Sequence, residues 1–283
     1  MQKLGIFYHP QAPAALALAE EIMRIVRGSG RQVWISSPWD QAAVLVDAPT
    51  TDLLICIGGD GTVLRAARTV IPRPVPILAV NMGRLGFLSE IQPDETLGRL
   101  AEVLDGRYRV EQRTMLCTQP VLPGAESAAP RLVELHALND IVIGRAAVGR
   151  PVQITLIIDD VDVGTMRADG LIVATATGST GYNLSAGGPI LPPEAPEMLV
   201  TAVAPHLSRI RPLLLPAESV LTVIVQAEHE AVLSVDGQVN RRLESGAAVR
   251  IERSPFAAHL VRLGTPAHFY RRLSHYLDLR PQE

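Results

Sequence analysis

The chain has 283 residues, of which 47% are hydrophobic and 19% are charged, and its formal net charge is −3. This length and hydrophobic content suffice for one large domain or two smaller ones, and they exclude a disordered polyampholyte. The charge indicates no nucleic-acid partner. Two isolated cysteines, Cys56 and Cys117, form no disulfide framework and favour a reducing compartment. Charged residues or prolines interrupt the longer apolar runs, so we expect a cytoplasmic protein without membrane spans.

The first hundred or so residues alternate between strand and helix signals. Four segments predict strands: residues 4–9, 31–36, 53–58 and 76–81. Residues 14–27 have helical spacing, with Leu18, Ile22 and Ile25 on one face, and residues 63–70 predict a second helix. This alternation predicts an α/β domain with a doubly wound, Rossmann-like parallel sheet.

The pattern changes near residue 108, after which helical signals are sparse. Seven segments predict strands: residues 108–122, 132–145, 152–164, 170–176, 219–226, 231–238 and 247–254. These short strands with turn residues between them predict an all-β, sandwich-like domain. Residues 123–130 predict a surface loop.

Helical spacing returns over residues 267–279, with Phe269, Leu273 and Tyr276 or Leu277 on one face. We expect this helix to pack back on the N-terminal domain. The sequence therefore predicts two domains: an α/β domain over residues 1–108, joined by the C-terminal helix 266–283, and a β-rich domain over residues 109–265.

One glycine-rich segment, Gly58-Gly59-Asp60-Gly61-Thr62, lies between a predicted buried strand and a predicted helix. Ligands of open α/β sheets bind at the carboxyl ends of the strands. Glycines let a ligand approach the backbone closely, and a helix N-terminus offers N–H groups to an anion. A carboxylate does not bind phosphate, so Asp60 is suited to hold a hydroxyl nucleophile or a magnesium ion. The alternative is a tight turn in which Asp60 only caps the helix.

A second segment, residues 169–192, reads DGLIVATATGSTGYNLSAGGPILP. An apolar strand leads there into a dense run of small and hydroxyl residues. Ser179 and Thr180 supply hydroxyl groups, and Tyr182 supplies a ring for stacking a base, worth about 1–3 kcal/mol when so used. The alternative is a plain glycine-rich loop between strands, but the density of these residues favours a binding function.

Together the two segments resemble the NAD kinase family. The GGDGT loop alone is also similar to the loop of lipid kinases and, more distantly, of phosphofructokinases, whereas residues 169–192 resemble the NAD kinase signature specifically. Further similarities follow in family order: residues 81–88, Asn139-Asp140, 206–216, 235–238 and 269–273. Ala176 stands where the family usually has proline, and Gly181 where it usually has alanine; neither change removes a functional group.

The resemblance implies transfer of the γ-phosphoryl group of ATP to the 2′-hydroxyl of the adenosine ribose of NAD, which produces NADP. It implies Asp60 as the proton acceptor and a phosphate loop of Gly58, Gly59, Gly61 and Thr62. The implied substrate-binding residues are Asp60, Gly61, Arg65, Asn139, Asp140, Arg150, Arg167, Asp169, Thr177, Thr180, Gly181, Tyr182, Asn183, Leu184, Ser185 and Gln238. No built-in metal cage stands out, so Mg²⁺ or another divalent cation is expected to arrive with ATP. A homodimer or homotetramer is also implied.

Two other functions stay open at this point. A lipid kinase shares the GGDGT loop but needs an apolar channel for an acyl chain, and no segment calls for one. A non-catalytic NAD(H)-binding sensor would have no need for the carboxylate of Asp60.

Overall fold

A computed structural model describes most of the chain in two compact units. The described residues are 1–40, 50–83, 86–121, 134–146, 150–207, 210–227, 230–265 and 267–278. The predicted loop at 123–130 lies outside them, as do residues 84–85 of the segment 81–88 and residues 208–209 of the segment 206–216. The first unit comprises Met1–Gln112 and Phe256–Glu283, and the second comprises Arg113–Pro255.

The first unit contains a parallel sheet and four helices among its described residues. Its elements are β1 (Lys3–Tyr8), α1 (Pro13–Gly28), β2 (Gln32–Ser36), β3 (Leu53–Gly58), α2 (Asp60–Val70), β4 (Pro76–Asn81), α3 (Pro93–Leu104), the start of β5 (Arg109–Val121), the end of β16 (Ala248–Arg262) and α5 (His268–Tyr276). Strands lie in the order β2-β1-β3-β4-β16, and all of these pairings are parallel. Apolar strands such as the fully buried β3 are expected where helices cover both faces of a sheet.

The strand order fixes where a ligand is expected. In the order β2-β1-β3-β4, the chain moves from β1 to β2 on one side and then crosses to β3 on the other side of β1. Such a reversal is a topological switch point, and ligands bind there at the carboxyl ends of the strands. His9 follows β1, and its N–H donates to Ile57 O at 3.0 Å, near the end of β3. The loop that begins at Gly58 therefore lies at the switch point.

The buried face of helix α1 matches the predicted one only in part, because Ile22 is buried and Leu18 packs against the core, whereas Ile25 is exposed. Its buried residues are Ala15, Ala19, Ile22 and Val26. Ile25 is 42% exposed, so its assignment to the buried face is wrong. The alanines have helical spacing and allow the helix to approach its neighbours closely, whereas the prediction followed the large apolar residues.

Two features of the first unit bear on the predicted boundaries. Helix α3 is absent from the predicted elements, although it begins with Pro93 and a capping box of Gln92 and Glu95. Helix α5 belongs to this unit, which confirms that the C-terminal helix packs on the N-terminal domain. The boundaries between the two units fall inside the long strands β5 and β16. The domain boundaries predicted from the sequence, residues 108 and 265, lie near the ends of these strands.

The second unit consists of two antiparallel sheets. One has the order β12-β11-β10-β7-β14-β15; in the other, β16, β13, β8 and β9 pair in sequence and β5 pairs with β6. Their bounds are β6 (Leu135–Ala137), β7 (Asp140–Arg145), β8 (Val152–Ile158), β9 (Val161–Ala168), β10 (Gly170–Ala174), β11 (Met198–Val203), β12 (Leu213–Leu215), β13 (Leu221–Gln226), β14 (Ala231–Val235) and β15 (Val239–Leu243), with a short helix α4 (Tyr182–Ser185). Residues of both sheets share one buried cluster, and the predicted all-β second domain is confirmed.

Two predicted strands are each two strands. Residues 132–145 contain β6 and β7, which are separated at Leu138-Asn139, and residues 152–164 form the hairpin of β8 and β9. The hairpin turns at Asp159 and Asp160, whose φ values of 49° and 65° suit a two-residue turn. Strands β11, β12 and β15 are absent from the predicted elements. In the described part of the chain, no helix is both long and apolar enough for a membrane span.

Candidate active site

Asp60 is the first residue of α2, and its carboxylate contacts a distant stretch of backbone. Oδ2 accepts a hydrogen bond from the Phe87 N–H at 3.0 Å, and Oδ1 accepts one from the Leu88 N–H at 3.3 Å. The helix itself has no side-chain cap hydrogen bond. The alternative that Asp60 only caps its own helix is therefore wrong, because the carboxylate is held by the segment 86–88.

Two glycines make this arrangement possible. A Cβ atom on Gly86 would lie 2.1 Å from Asp60 Oδ1, and one on Gly58 would lie 2.4 Å from Thr62 Oγ1. Thr62 is buried, and its hydroxyl has no hydrogen-bond partner among the described residues. The Thr62 side chain thus fills the space beside Gly58 inside the loop, while Gly59 and Gly61 lie exposed.

The electrostatics of Asp60 combine opposing effects. Burial raises the pKa of the carboxyl group above its ordinary value, and this is the largest effect. The two backbone N–H groups and the charges of Arg272 and Arg262 act in the opposite direction. A carboxylate that is both held in place and made more basic than usual is suited to accept a proton from a hydroxyl group.

Arg65 lies in α2, with its guanidinium carbon 4.8 Å from the ring centroid of Trp39. Its Nε atom is buried and unpartnered within the described ranges. Trp39 also makes an edge contact with His9 at 5.1 Å, so the three side chains form a cluster beside the end of β1. Neither His9 nor Trp39 belongs to the predicted site residues, and no sequence spacing connects them with Arg65.

In the second unit, Asp236 organises the backbone around Asn139. Its carboxylate accepts hydrogen bonds from the N–H groups of Leu138 at 3.1 Å, Asn139 at 2.8 Å and Asp140 at 3.2 Å. Asp236 lies in the turn between β14 and β15 with a φ of 52°. The predicted contact residue of this turn, Gln238, is half-buried.

The Asn139-Asp140 pair packs against the glycine-rich segment 177–189. A Cβ atom on Gly178 would lie 2.1 Å from Asn139 O, so the two backbones touch. Thr175 adds hydrogen bonds from its N–H to Asn139 O at 2.9 Å and from its hydroxyl to Leu138 O at 2.6 Å. The structure therefore brings together two parts of the predicted NAD site that are about 40 residues apart in sequence.

The departure at Gly181 has little steric consequence. A Cβ atom there would lie 3.4 Å from Gly178 O, 3.7 Å from Asn139 Nδ2 and 4.0 Å from Asp140 Oδ2, all ordinary contact distances. The alanine usual in the family would fit here. Glycine leaves the space of one methyl group beside Asp140.

Asp140 is a carboxylate in a poor environment for charge. It is only 6% exposed, and burial, followed by the like charge of Asp236, raises its pKa to about 7. A group with this pKa changes its protonation near neutral pH. Any ligand that needs the carboxylate form will bind in a pH-dependent way.

The segment 177–189 is held by internal hydrogen bonds. The Asn183 amide nitrogen donates to Ser179 O at 3.1 Å and Pro189 O at 2.9 Å, and its oxygen accepts from the Thr201 hydroxyl at 2.7 Å. Asn183 is fully buried, so its side chain shapes the loop from within.

Other predicted residues of this segment differ in exposure. Thr177 is buried, and its hydroxyl accepts from Arg113 at 3.0 Å. Tyr182 is 47% exposed, as a stacking ring requires before its ligand binds. The remaining residues are half-buried or exposed: Thr180, Leu184 and Ser185.

Three charged residues of the predicted site, Arg150, Arg167 and Asp169, lie near β9 and β10 and differ in their exposure and partners. Asp169 binds Arg145 through a salt bridge of 2.9 Å, and Arg145 was missed by sequence reasoning. Arg150 and Arg167 are exposed. The described residues contain no group of three or more His, Cys, Asp or Glu side chains that could hold a metal ion.

Two family models match the chain. The ATP-NAD kinase N-terminal domain matches residues 37–108, and the ATP-NAD kinase C-terminal domain matches residues 138–263. The first range contains Asp60, and the second contains Asn139, Asp140 and the segment 177–189. Both halves of the described chemistry therefore fall within matched ranges.

Full-length relatives and solved structures agree with these matches. An NAD kinase of Dehalococcoides mccartyi is 38% identical over 272 residues, covering 96% of this chain and 94% of that protein. An NAD kinase of Chloroflexus aggregans is 37% identical over 276 residues, covering 96% and 97%. A yeast NADH kinase complexed with NADH has a TM-score of 0.83 at 26% identity, covering 100% of this chain and 89% of that one. An NAD kinase from Archaeoglobus fulgidus in complex with ATP has a TM-score of 0.76 at 25% identity, covering 99% and 100%.

Proposed function

Since the chain belongs to the NAD kinase family and transfers a phosphoryl group from ATP to NAD to give NADP, we propose that Asp60 accepts the proton of the reacting 2′-hydroxyl. The observation that carries this proposal is the placement of its carboxylate at the carboxyl edge of the parallel sheet, held by the N–H groups of Phe87 and Leu88. This activity is the one that the sequence resemblance implies. It is favoured over the two alternatives, a lipid kinase and a non-catalytic NAD(H)-binding sensor.

In the proposed step, the 2′-oxygen of the adenosine ribose attacks the γ-phosphorus of ATP. A new O–P bond forms, the bond to the β-γ bridging oxygen breaks, ADP leaves, and the hydroxyl proton passes to Asp60. Phosphoryl transfer depends mainly on positioning and on charge stabilisation. Fixing the Asp60 carboxylate before the substrate arrives therefore lowers the cost of orienting the hydroxyl group.

The phosphates of ATP are proposed to lie along the exposed glycines of the same loop. Gly58, Gly59 and Gly61 keep side chains away from this surface, and the N-terminus of α2 favours negative charge. The Thr62 side chain fills the space inside the loop beside Gly58. Mg²⁺, or another divalent cation, is proposed to arrive bound to the ATP phosphates, with Arg65 as an additional cationic contact.

NAD is proposed to be recognised largely by the second unit. Asp140 and Asn139 would bind ribose hydroxyl groups, and Tyr182 would stack on a ring of the dinucleotide. The further residues proposed to line the NAD site are Gly61, Arg150, Arg167, Asp169, Thr177, Thr180, Gly181, Asn183, Leu184, Ser185 and Gln238. The internal hydrogen bonds of Asn183 and Thr177 support a role in shaping the loop.

The proposed role of Asp140 leads to a pH-dependent affinity for NAD. Its pKa is about 7 in the free protein, and only the carboxylate form accepts hydrogen bonds from two hydroxyl groups. As pH falls below 7, the Kd of NAD is therefore expected to rise by up to about tenfold per pH unit, and above about pH 8 it should be constant. Isothermal titration calorimetry between pH 5.5 and 8.5 measures this.

Asp140→Asn is the matching variant. It should bind NAD about 10- to 100-fold more weakly at pH 8, because a charge-assisted acceptor is lost, and its Kd should not depend on pH. Asp160→Asn, in the exposed β8–β9 turn, is the control and should behave like the wild type. A wild-type Kd that is constant from pH 5.5 to 8.5 would remove Asp140 from ribose recognition.

Three further proposals concern the working state of the enzyme. Activity should be lost with excess EDTA and regained with Mg²⁺.

Light scattering should give the mass of a dimer or tetramer, and a monomer mass would contradict the proposed homo-oligomer. The unpaired thiols of Cys56 and Cys117 support a cytoplasmic location, where ATP and NAD are also available.

A further inference from the structure

The segment 86–90, which supplies the two N–H donors to Asp60, is itself bound by an arginine of the C-terminal helix. Arg272 Nη1 donates to Gly86 O at 3.3 Å and to Ser89 O, and Nη2 donates to Glu90 O at 3.4 Å. One planar guanidinium thus binds three carbonyl oxygens within five consecutive residues. Within the described ranges, the hydrogen bonds of its guanidinium go to backbone carbonyl groups.

A buried ionic cluster anchors the same segment from β16. Arg262 Nη1 donates to Leu88 O at 3.0 Å and to Glu90 Oε2 at 3.1 Å, and Nε donates to Glu111 Oε1 at 2.9 Å. Glu90 Oε1 accepts from the N–H groups of Leu263 and Gly264 at 2.7 and 3.0 Å. This cluster anchors Leu88 and Glu90.

Helix α5 is seated on the same segment by aromatic contacts. The Phe87 ring lies 6.1 Å from that of Phe269 and 5.1 Å from that of Tyr276. Arg272 lies between these two residues in sequence. The helix therefore brings its aromatic side chains to Phe87, whose N–H holds Asp60 Oδ2, and its guanidinium to the carbonyl group of the preceding residue, Gly86.

From these contacts we propose that Arg272 is a positioning residue for phosphoryl transfer: by binding the carbonyl groups of Gly86, Ser89 and Glu90, it fixes the backbone that orients the Asp60 carboxylate. Arg272 acts through this segment and does not touch the reacting atoms. The inference rests on the proposed role of Asp60. It adds a dependence of that carboxylate on the C-terminal helix, which lies about 200 residues away in sequence.

Loss of the hydrogen bonds from Arg272 to the segment 86–90 should lower kcat more than it weakens substrate binding. In Arg272→Gln, kcat is expected to fall by about 10- to 100-fold, because displacement of a catalytic group by a fraction of an ångström to 1 Å has effects of this size. The KM values for NAD and ATP should stay within about twofold, since their proposed contacts lie elsewhere. Arg272→Lys keeps one charged donor and should recover part of kcat.

The neighbouring Arg271 provides a matched control. It is exposed and lies in the same helix, so Arg271→Gln changes the charge and helix composition equally and should leave kcat and KM unchanged. Melting temperatures of the three variants identify any general loss of stability. If Arg272→Gln does not fold, the Lys variant carries the test.

The pH profile of kcat separates a positioning role from a purely structural one. Among the described residues, the charges of Arg272 from α5 and Arg262 from β16 act on Asp60, and Asp60 in turn acts on the thiol of Cys56 from β3. The positive charge of Arg272 and the N–H groups of Phe87 and Leu88 all favour the carboxylate form of Asp60. Removing Arg272 withdraws that charge and loosens those two donors, so the carboxylate form becomes less favoured. The acidic limb of the kcat profile should therefore move to higher pH in Arg272→Gln, and less so in Arg272→Lys.

Two outcomes would overturn the inference. Either kcat of Arg272→Gln (or of Arg272→Lys, if the Gln variant does not fold) lies within about twofold of wild type, or kcat falls while the acidic limb stays in place. Failure of the proposed function is a separate result, since it would appear as undiminished activity in Asp60→Asn. An inactive Asp60→Asn beside a fully active Arg272→Gln would leave the role of Asp60 intact and reject only the role of Arg272.

Discussion

Replacing Asp60 by asparagine is expected to lower kcat by about 10³- to 10⁴-fold, with small changes in the KM values for NAD and ATP. The proposed proton acceptor is lost, and acid–base groups contribute up to about 10⁴-fold. Asparagine has nearly the same shape, and its oxygen still accepts from one of the two N–H groups of Phe87 and Leu88. The amide nitrogen then faces the other N–H, so some disorder of the carboxamide adds to the loss.

Steady-state NADP formation across pH 6 to 9 measures this effect. In the wild type, kcat should fall on the acidic side, because a protonated Asp60 no longer accepts the proton. Asp94→Asn is the matched control, because Asp94 is an exposed carboxylate in the first turn of α3 in the same unit. Its kcat should be unchanged. Activity of Asp60→Asn within about tenfold of wild type would remove Asp60 from catalysis.

Replacing Arg262 by methionine is expected to lower the free energy of unfolding by about 3–5 kcal/mol. Arg262 bonds with both Glu90 and Glu111, and the three side chains are 3–8% exposed. Without the guanidinium, the buried Glu90 loses its salt bridge with Arg262 and the buried Glu111 keeps only its pairing with Arg109 at 3.1 Å, which is strongly destabilising.

Denaturant unfolding followed by circular dichroism measures the change. Arg99→Met is the control, because Arg99 pairs with Glu102 at 3.1 Å on the surface of α3, with both side chains at least one-third exposed. That pair should contribute less than about 1 kcal/mol. Equal stabilities of Arg262→Met and Arg99→Met at pH 8 would mean that the buried cluster does not stabilise the first unit.

The parallel sheet was predictable because its strands have local signals. The β3 and β4 segments are apolar at nearly every position and are bounded by glycine or proline, so both strands appear with the predicted bounds. The face of α1 was only partly predictable. Its contact depends on Ala15 and Ala19, whose small size gives a weak hydrophobic signal, while the larger Ile25 points outward.

The role of Asp60 was suggested by its motif, but its surroundings were not. Its two donors are backbone N–H groups 27 and 28 residues away, and a backbone group leaves no trace in residue identity. The same holds for Asp236, whose carboxylate binds three N–H groups about 97 residues away. Asp236 lies in the turn between β14 and β15, and its carboxylate supports Asn139 and Asp140 from there.

Arginine partners were missed for a related reason. Arg145 pairs with Asp169 because β7 and β10 align Gly144 with Gly170. Arg113 reaches Thr177 through the folding of β5, and Arg272 reaches the segment 86–90 through helix α5. A charged residue in a sequence does not reveal its partner until strand register and helix packing are known.

The most direct test follows the position of the transferred phosphate. The purified protein is incubated with ATP, Mg²⁺ and NAD, and the initial rate at which a phosphomonoester forms on the 2′-carbon of the adenosine ribose is recorded by ³¹P NMR, for the wild type and for Asp60→Asn. The expected result is a 2′-phosphate that accumulates with the wild type and at least about 10³-fold more slowly with the variant. Phosphate at another hydroxyl group, or equal rates for the two proteins, would contradict the assignment of Asp60 as acceptor of the 2′-hydroxyl proton.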